Sequence, residues 1–380
     1  MKNVMVIVAL LTAISLCSCE DEVKKPNEPE YKEPLNHFVS ADMAAKKTVG
    51  FLLELQKTAG ADAVPNVEIG TVKAYGRSSS WTHLPAEAAA GDSVAFYVVD
   101  LKGGGFVMAS ADDRLDSVFA YVPEGRFEEA HSGEWGFMQF VSLLSHRTFG
   151  GGDGPMQVAN GSVDSKRYVP QMMQTRWGRG APYNMETVNA ECSPMGVALA
   201  QIAAFYQKPD VVSYTLPNGK QMYIKLDWDA ISQHSAVGDG KLMEGDFVAK
   251  EVSALIQYIE GSEKTDSFNP VTTEMSRMSD LGFRVIERSQ NSLRYSYLTI
   301  QICLSTDLLC YVRGCFMKDS DLSMGIGTPS VWVVDGCAGN LMHCNWGHDG
   351  LMDGWFLYRV FAEPEGLDFA YKLQFSSIGF

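Results

Sequence analysis

The stretch from Met195 to Tyr206 carries no charge, has Gly196 as its sole breaker and is otherwise dominated by Ala, Leu, Ile and Val. A helix of that composition has no polar face to offer water, so it is buried on nearly all sides and its domain is built around it. Ser193 and Pro194 supply the start: serine is a favoured N-cap, and proline fits the first helical position because its missing N–H needs no partner there. Cys192 then stands one residue outside the helix. A thiol at that place meets the positive end of the helix dipole and unpaired N–H groups, which favour the nucleophilic thiolate. The alternative is a buried thiol that behaves as a small apolar residue.

The chain begins with a processing segment. Lys2 gives a positive start and Val4 to Leu16 an apolar run too short to span a bilayer, before the small-residue tetrad Leu16-Cys17-Ser18-Cys19. That tetrad resembles the bacterial lipobox. Residues 1–18 are therefore expected to be a lipoprotein signal peptide, with Cys19 the lipidated first residue of an exported protein anchored to a bacterial membrane, at the outer membrane or cell surface. Residues 19–36 are rich in proline and charge with almost nothing to bury, which is the composition of a flexible tether.

The remaining chain is long enough for two domains, with 380 residues in all, 46% of them hydrophobic. The net charge of −15 argues against nucleic acid or an anionic membrane surface as a partner. Beyond Cys19 the cysteines are 192, 303, 310, 315, 337 and 344; their spacing matches no zinc pattern, so no metal or cofactor is expected. Core thiols are expected, with Cys310–Cys315 or Cys337–Cys344 pairing left open.

Residues 37–147 read as a small α+β domain. Ser40 caps a helix from Ala41 to about Lys57, and strands follow at Val67–Tyr75, Ser93–Leu101, Phe106–Ser110 and Val118–Val122, with a half-buried sheet expected. Residues 148–167 are a glycine-rich linker ending in Lys166-Arg167. In residues 168–380 the buried helix is followed by a hairpin turning at Asn218-Gly219, a helix over Glu251–Glu260, and strands at Leu308–Val312, Val331–Asp335, Leu341–Asn345 and Trp355–Tyr358.

The pattern Thr175-x-Trp177 with Pro182-Tyr183-Asn184, then a cysteine, Ala200-Gln201-Ile202 and Pro209, resembles the streptopain family of papain-like bacterial cysteine peptidases. Val331 to Phe356 resembles that family's histidine strand and Asn-Trp segment. The run from Ala95 to Phe127, with Asp112-Asp113-Arg114 its most specific part, resembles the family's propeptide, a fold shared with standalone inhibitors of those enzymes. The resemblance implies an α+β, papain-like fold with an N-terminal propeptide-like domain that packs over the cleft.

The working residues depart from the pattern. The family's oxyanion glutamine falls on Arg179 and its catalytic histidine on Ser330, while counting back from Ala200-Gln201-Ile202 puts its cysteine on Pro194. Cys192 is two residues early, about 200° around a helix. A serine cannot accept and return a proton near neutral pH, so no Cys–His pair forms at that place. Asn345 and Trp346 match the residues that orient and shield the family's histidine, and His343 and His348 are the two histidines of the C-terminal segment. The expectation is a catalytically impaired homologue binding a peptide or protein ligand, its Cys192 an ordinary thiol. One alternative is an active cysteine endopeptidase in which Cys192 uses a non-standard base, and another is a protease inhibitor acting through the N-terminal domain.

Overall fold

The computed structural model describes residues 37–61, 63–76, 79–85, 93–132, 136–138, 140–141, 144, 164–187, 190–216, 219–261, 276–290, 297–316, 328–361 and 374–379. The signal segment, Cys19, the tether, the linker up to residue 163 and Asn218 lie outside them, as does the side chain of Cys315.

The N-terminal helix, Ala41–Ala59, begins where Ser40 accepts a hydrogen bond from the Met43 N–H, as its capping sequence predicts. Its apolar stripe, with Ala44, Leu52 and Leu55 buried, lies on a sheet of strands β1 (Ile69–Gly76), β2 (Ser79–His83), β3 (Val94–Leu101), β4 (Phe106–Ser110) and β5 (Val118–Val122). The Gly103-Gly104-Gly105 turn joins β3 to β4 as expected, all three glycines at positive φ. Asp112, the start of the Asp112-Asp113-Arg114 motif, bridges to Phe38 and holds the Arg114 guanidinium through both carboxylate oxygens.

The expected half-buried sheet is corrected: β4 and β5 are buried along their whole length. The helix covers one side. Phe127, Phe137 and Phe140 cover the other, packing edge-on to Phe106 and Phe356 at centroid separations of 4.9–6.1 Å. Phe356 belongs to the C-terminal part of the chain, which explains the missing wet face. There β13 (Gly354–Leu357) pairs antiparallel with β5, Trp355 opposite Tyr121 and Phe356 opposite Ala120. A Cβ at Gly354 would lie 2.5 Å from the Tyr121 carbonyl oxygen, so glycine is required for the strands to meet.

The sheet continues through β12 (Leu341–Asn345), β11 (Thr328–Ala338), β10 (Leu309–Phe316), β14 (Gln374–Gly379) and β9 (Arg284–Gln290), and β6 (Tyr168–Val169) pairs with β11. Among the described residues this makes one sheet of 12 strands, and Phe38–Phe380 cluster as one compact unit.

The uncharged stretch forms the helix Pro194–Tyr206, which packs against β11 and against the helix Ala249–Glu260. Eight consecutive residues, Gly196 to Ala203, are buried in it. The hairpin is present as β7 (Val211–Thr215) and β8 (Gln221–Lys225). Two helices of eight residues or more were not legible. Trp228–Val237 is capped by Asp227, whose carboxylate accepts from Ala230 N–H, a signal available in Asp227-Trp228-Asp229. Tyr297–Leu304 is rich in β-branched residues and is helical through packing on β10 and β11. Cys192, Cys303, Cys310, Cys337 and Cys344 are free, buried thiols, which closes the pairings left open for them.

Candidate active site

The start of the Pro194–Tyr206 helix is built as its sequence dictates. Ser193 is the N-cap, its hydroxyl accepting from Gly196 N–H at 3.0 Å, and Pro194 opens the first turn. Cys192 lies just outside, yet its side chain is fully buried in the core that also holds Val197, Val331 and Val333. Burial pushes its thiol up to about 12, with Glu260 raising it further and Arg179 pulling the other way. This corrects the expected ordinary thiol, because burial outweighs the helix terminus.

Arg179 is bound to the segment around the thiol. Its Nε donates to the Cys192 carbonyl at 2.7 Å, its own carbonyl accepts from Cys192 N–H at 2.8 Å, and its guanidinium pairs with Glu191 at 3.1 Å. It therefore clasps the Cys192 main chain and serves as a structural tie. Pro194, at the place of the family's cysteine, removes a second oxyanion donor that sequence comparison alone did not flag, since proline has no N–H.

Ser330 is buried on β11 opposite Gly314. The pairing with β10 is regular there, so side chains alternate between faces. Val331 and Val333 enter the core that holds Cys192, whereas Trp332 enters the other core and packs on Trp346 at 5.3 Å. Ser330 shares the Trp332 face by this alternation, so β11 separates it from the thiol.

Asn345 is committed elsewhere. Its Nδ2 donates to the Thr175 carbonyl at 2.9 Å, while its Oδ1 accepts from Gln201 at 3.0 Å and from Gly347 N–H at 3.1 Å. Gln201 in turn accepts from Trp177 N–H, so the Thr175-x-Trp177 segment is fastened to the buried helix and to β12. Trp346 donates from its indole to the Met352 carbonyl. Asn345 and Trp346 thus fasten β12 to the segments around it.

The two C-terminal histidines sit in different surroundings. His343 is buried on β12, with Nδ1 2.6 Å from Asp335 Oδ1 and its ring edge-on to Trp355 at 5.1 Å. Burial alone would lower its pKa, but the Asp335 carboxylate outweighs it and holds the imidazole above its ordinary value. His348 is lowered by burial, with Asp349, Arg179 and Glu191 as its charged neighbours.

Near His343 lies Asp353, buried, with Oδ1 accepting from Trp346 N–H at 2.8 Å and Oδ2 without a hydrogen-bond partner among the described residues. Burial raises its carboxyl to about 6, against about 3.9 in an unfolded chain. A raised folded pKa favours the protonated native state, so this contribution is fully present below about pH 4 and is lost as pH rises through about 6. Relative to Asp353→Asn, the wild type is expected to lose about 2–3 kcal/mol of stability between pH 4 and 7. Urea unfolding across that range measures it; parallel curves for the two proteins would contradict it.

Among the described residues, no group of three or more His, Cys, Asp or Glu side chains is arranged to hold a metal ion. No described helix is long and apolar enough to cross a membrane.

Comparison with known proteins agrees with this geometry. Residues 177–356 match the Peptidase C10 family and residues 36–148 match the Spi protease inhibitor. Among solved structures the chain is similar to a prointerpain A fragment of Prevotella intermedia, at 15% identity and a TM-score of 0.53, over 74% of this chain and 94% of that one. No curated protein matches by sequence. At 15% identity the likeness shows the fold. Residues 177–356 are thus similar to the Peptidase C10 (streptopain) family, behind an N-terminal domain similar to the Spi protease inhibitor.

Proposed function

We propose that this protein is a lipid-anchored pseudopeptidase: a streptopain-type zymogen fold that holds a peptide or protein ligand in an altered cleft and does not cut it. The observation that carries this reading is the full burial of Cys192, which pushes its thiol up to about 12, with Ser330 placed by strand alternation on the opposite face of β11. Papain-type chemistry needs a thiolate, a proton acceptor within reach and donors for the oxyanion. Here the thiol is held protonated, the acceptor's place is a serine and Arg179 is tied to main chain. Fold outlasts chemistry, so the site decides the function.

The test is covalent capture. With a specific protease site placed in the linker and cut, the protein is treated with a peptide epoxide directed at papain-type thiols and mapped by mass spectrometry. Cys192 is expected to remain unlabelled, and denatured casein fragments to co-elute with the protein unaltered. Stoichiometric labelling of Cys192, or no co-elution at any concentration, would refute the respective half of the proposal.

The N-terminal domain is read as a resident cover on the peptidase-like part. Supporting this are the β5–β13 pairing, the aromatic packing around Phe356, and Arg176, which reaches Glu124 at 2.8 Å as well as Asp239 at 3.1 Å. A domain whose edge strand is already paired has less to offer a separate peptidase, which disfavours inhibition in trans. The anchor rests on Leu16-Cys17-Ser18-Cys19. Cys19→Ser is expected to abolish incorporation of labelled fatty acid; retained label would exclude Cys19 as the acceptor.

A further inference from the structure

Glu260 ends the helix Ala249–Glu260 and is nine-tenths buried. Its side chain turns to the start of the neighbouring Pro194–Tyr206 helix, where Oε1 accepts from Ser193 N–H at 2.5 Å and the Ser193 hydroxyl also bonds to the carboxylate. The contact is built into the packing: a Cβ at Gly196 would lie 2.8 Å from Oε1, 3.1 Å from the Glu260 Cγ and 3.2 Å from Ile256. Glycine, poor in a helix interior, is thus what gives the carboxylate room.

The groups facing this carboxylate define its effect. Burial raises its pKa, while Ser193's two hydrogen bonds and the Arg179 guanidinium favour the charged form. Glu260 is in turn the strongest charge acting on Cys192, ahead of Arg179 and Glu191. A helix N-terminus receives anions because its first N–H groups are unpaired and its dipole end is positive. In acyl transfer, such donors receive the oxyanion that forms when a nucleophile adds to a carbonyl. At this helix Pro194 has no N–H to give, Gly196 N–H is taken by the Ser193 hydroxyl, and Ser193 N–H is taken by Glu260.

We propose that Glu260 is an internal anion at the N-terminus of the Pro194–Tyr206 helix, taking the Ser193 N–H that a substrate carbonyl would otherwise meet and holding the neighbouring Cys192 thiol uncharged. This deepens, and rests on, the pseudopeptidase reading. It assigns a positioning role to a residue outside every catalytic motif. It also makes Gly196 and Glu260 a matched pair: the helix glycine is kept for the glutamate.

Two variants of the full chain test it. Glu260→Gln keeps the shape and removes the charge. Its Cys192, followed by iodoacetamide and peptide mapping with the other cysteines in place, is expected to react about tenfold faster at pH 8, the effect of about one unit in thiol pKa. Burial persists, so the thiol stays above an exposed cysteine. Glu260→Ala empties the position. It is expected to unfold at a lower temperature, and added acetate, a free carboxylate small enough for the space, is expected to restore the midpoint saturably where chloride does not. An unchanged Cys192 rate in Glu260→Gln overturns the inference, as does an acetate response of equal size in the wild type. Wild-type turnover of denatured casein that needs Cys192 would overturn the pseudopeptidase reading and this inference with it. An unchanged Glu260→Gln rate in a silent wild type overturns this inference alone.

Discussion

His343→Leu is expected to destabilise the protein by about 3–5 kcal/mol. His343 and Asp335 are both buried, 2.6 Å apart, beneath Trp355 at the strand that joins the two parts of the sheet. Removing the imidazole leaves the Asp335 carboxylate with the Met173 N–H, 2.9 Å from Oδ2, as its side-chain hydrogen-bond partner among the described residues. An uncompensated buried charge costs far more than the pair itself contributes. The double variant His343→Leu/Asp335→Leu is therefore expected to cost less than the sum of the single changes by at least about 1 kcal/mol. Urea unfolding of the four proteins measures the coupling. A rescue base would behave differently, with His343→Leu abolishing turnover and leaving stability nearly intact.

The fold was legible where composition and local chemistry agree. Ser193-Pro194 ahead of an uncharged apolar run specified the central helix and its cap, and the Gly103-Gly104-Gly105 turn specified the β3–β4 hairpin. What could not be read was pairing across long sequence separations. Nothing in Val118–Val122 alone says that its outer edge is taken by Gly354–Leu357, so a half-wet sheet was the natural expectation. Helix Tyr297–Leu304 was hidden because tertiary packing overrides the preference of its Thr and Ile residues.

The site was legible by residue type and illegible by direction. Arg179 and Ser330 marked the departures from the family pattern, but sequence could not say that the guanidinium is spent on the Cys192 main chain or that strand alternation puts β11 between Ser330 and the thiol. Burial of Cys192 depends on the helix Ala249–Glu260, whose terminal glutamate has no motif to mark it.

Peptidase turnover is where the largest effect is expected. Losing an oxyanion donor typically costs about 10²- to 10³-fold and losing a general base about 10²- to 10⁴-fold, so both together leave a rate about 10⁴-fold or more below a working enzyme. Latency under the N-terminal domain would also silence the protein, so the comparison is made with the linker cut and with an active papain-type peptidase as positive control. The decisive measurement is turnover of denatured casein by the linker-cut protein beside Cys192→Ala and that control. A dismantled catalytic centre gives no cleavage by the wild type and none by Cys192→Ala under conditions in which the control cleaves. Robust wild-type cleavage that disappears in Cys192→Ala would contradict it.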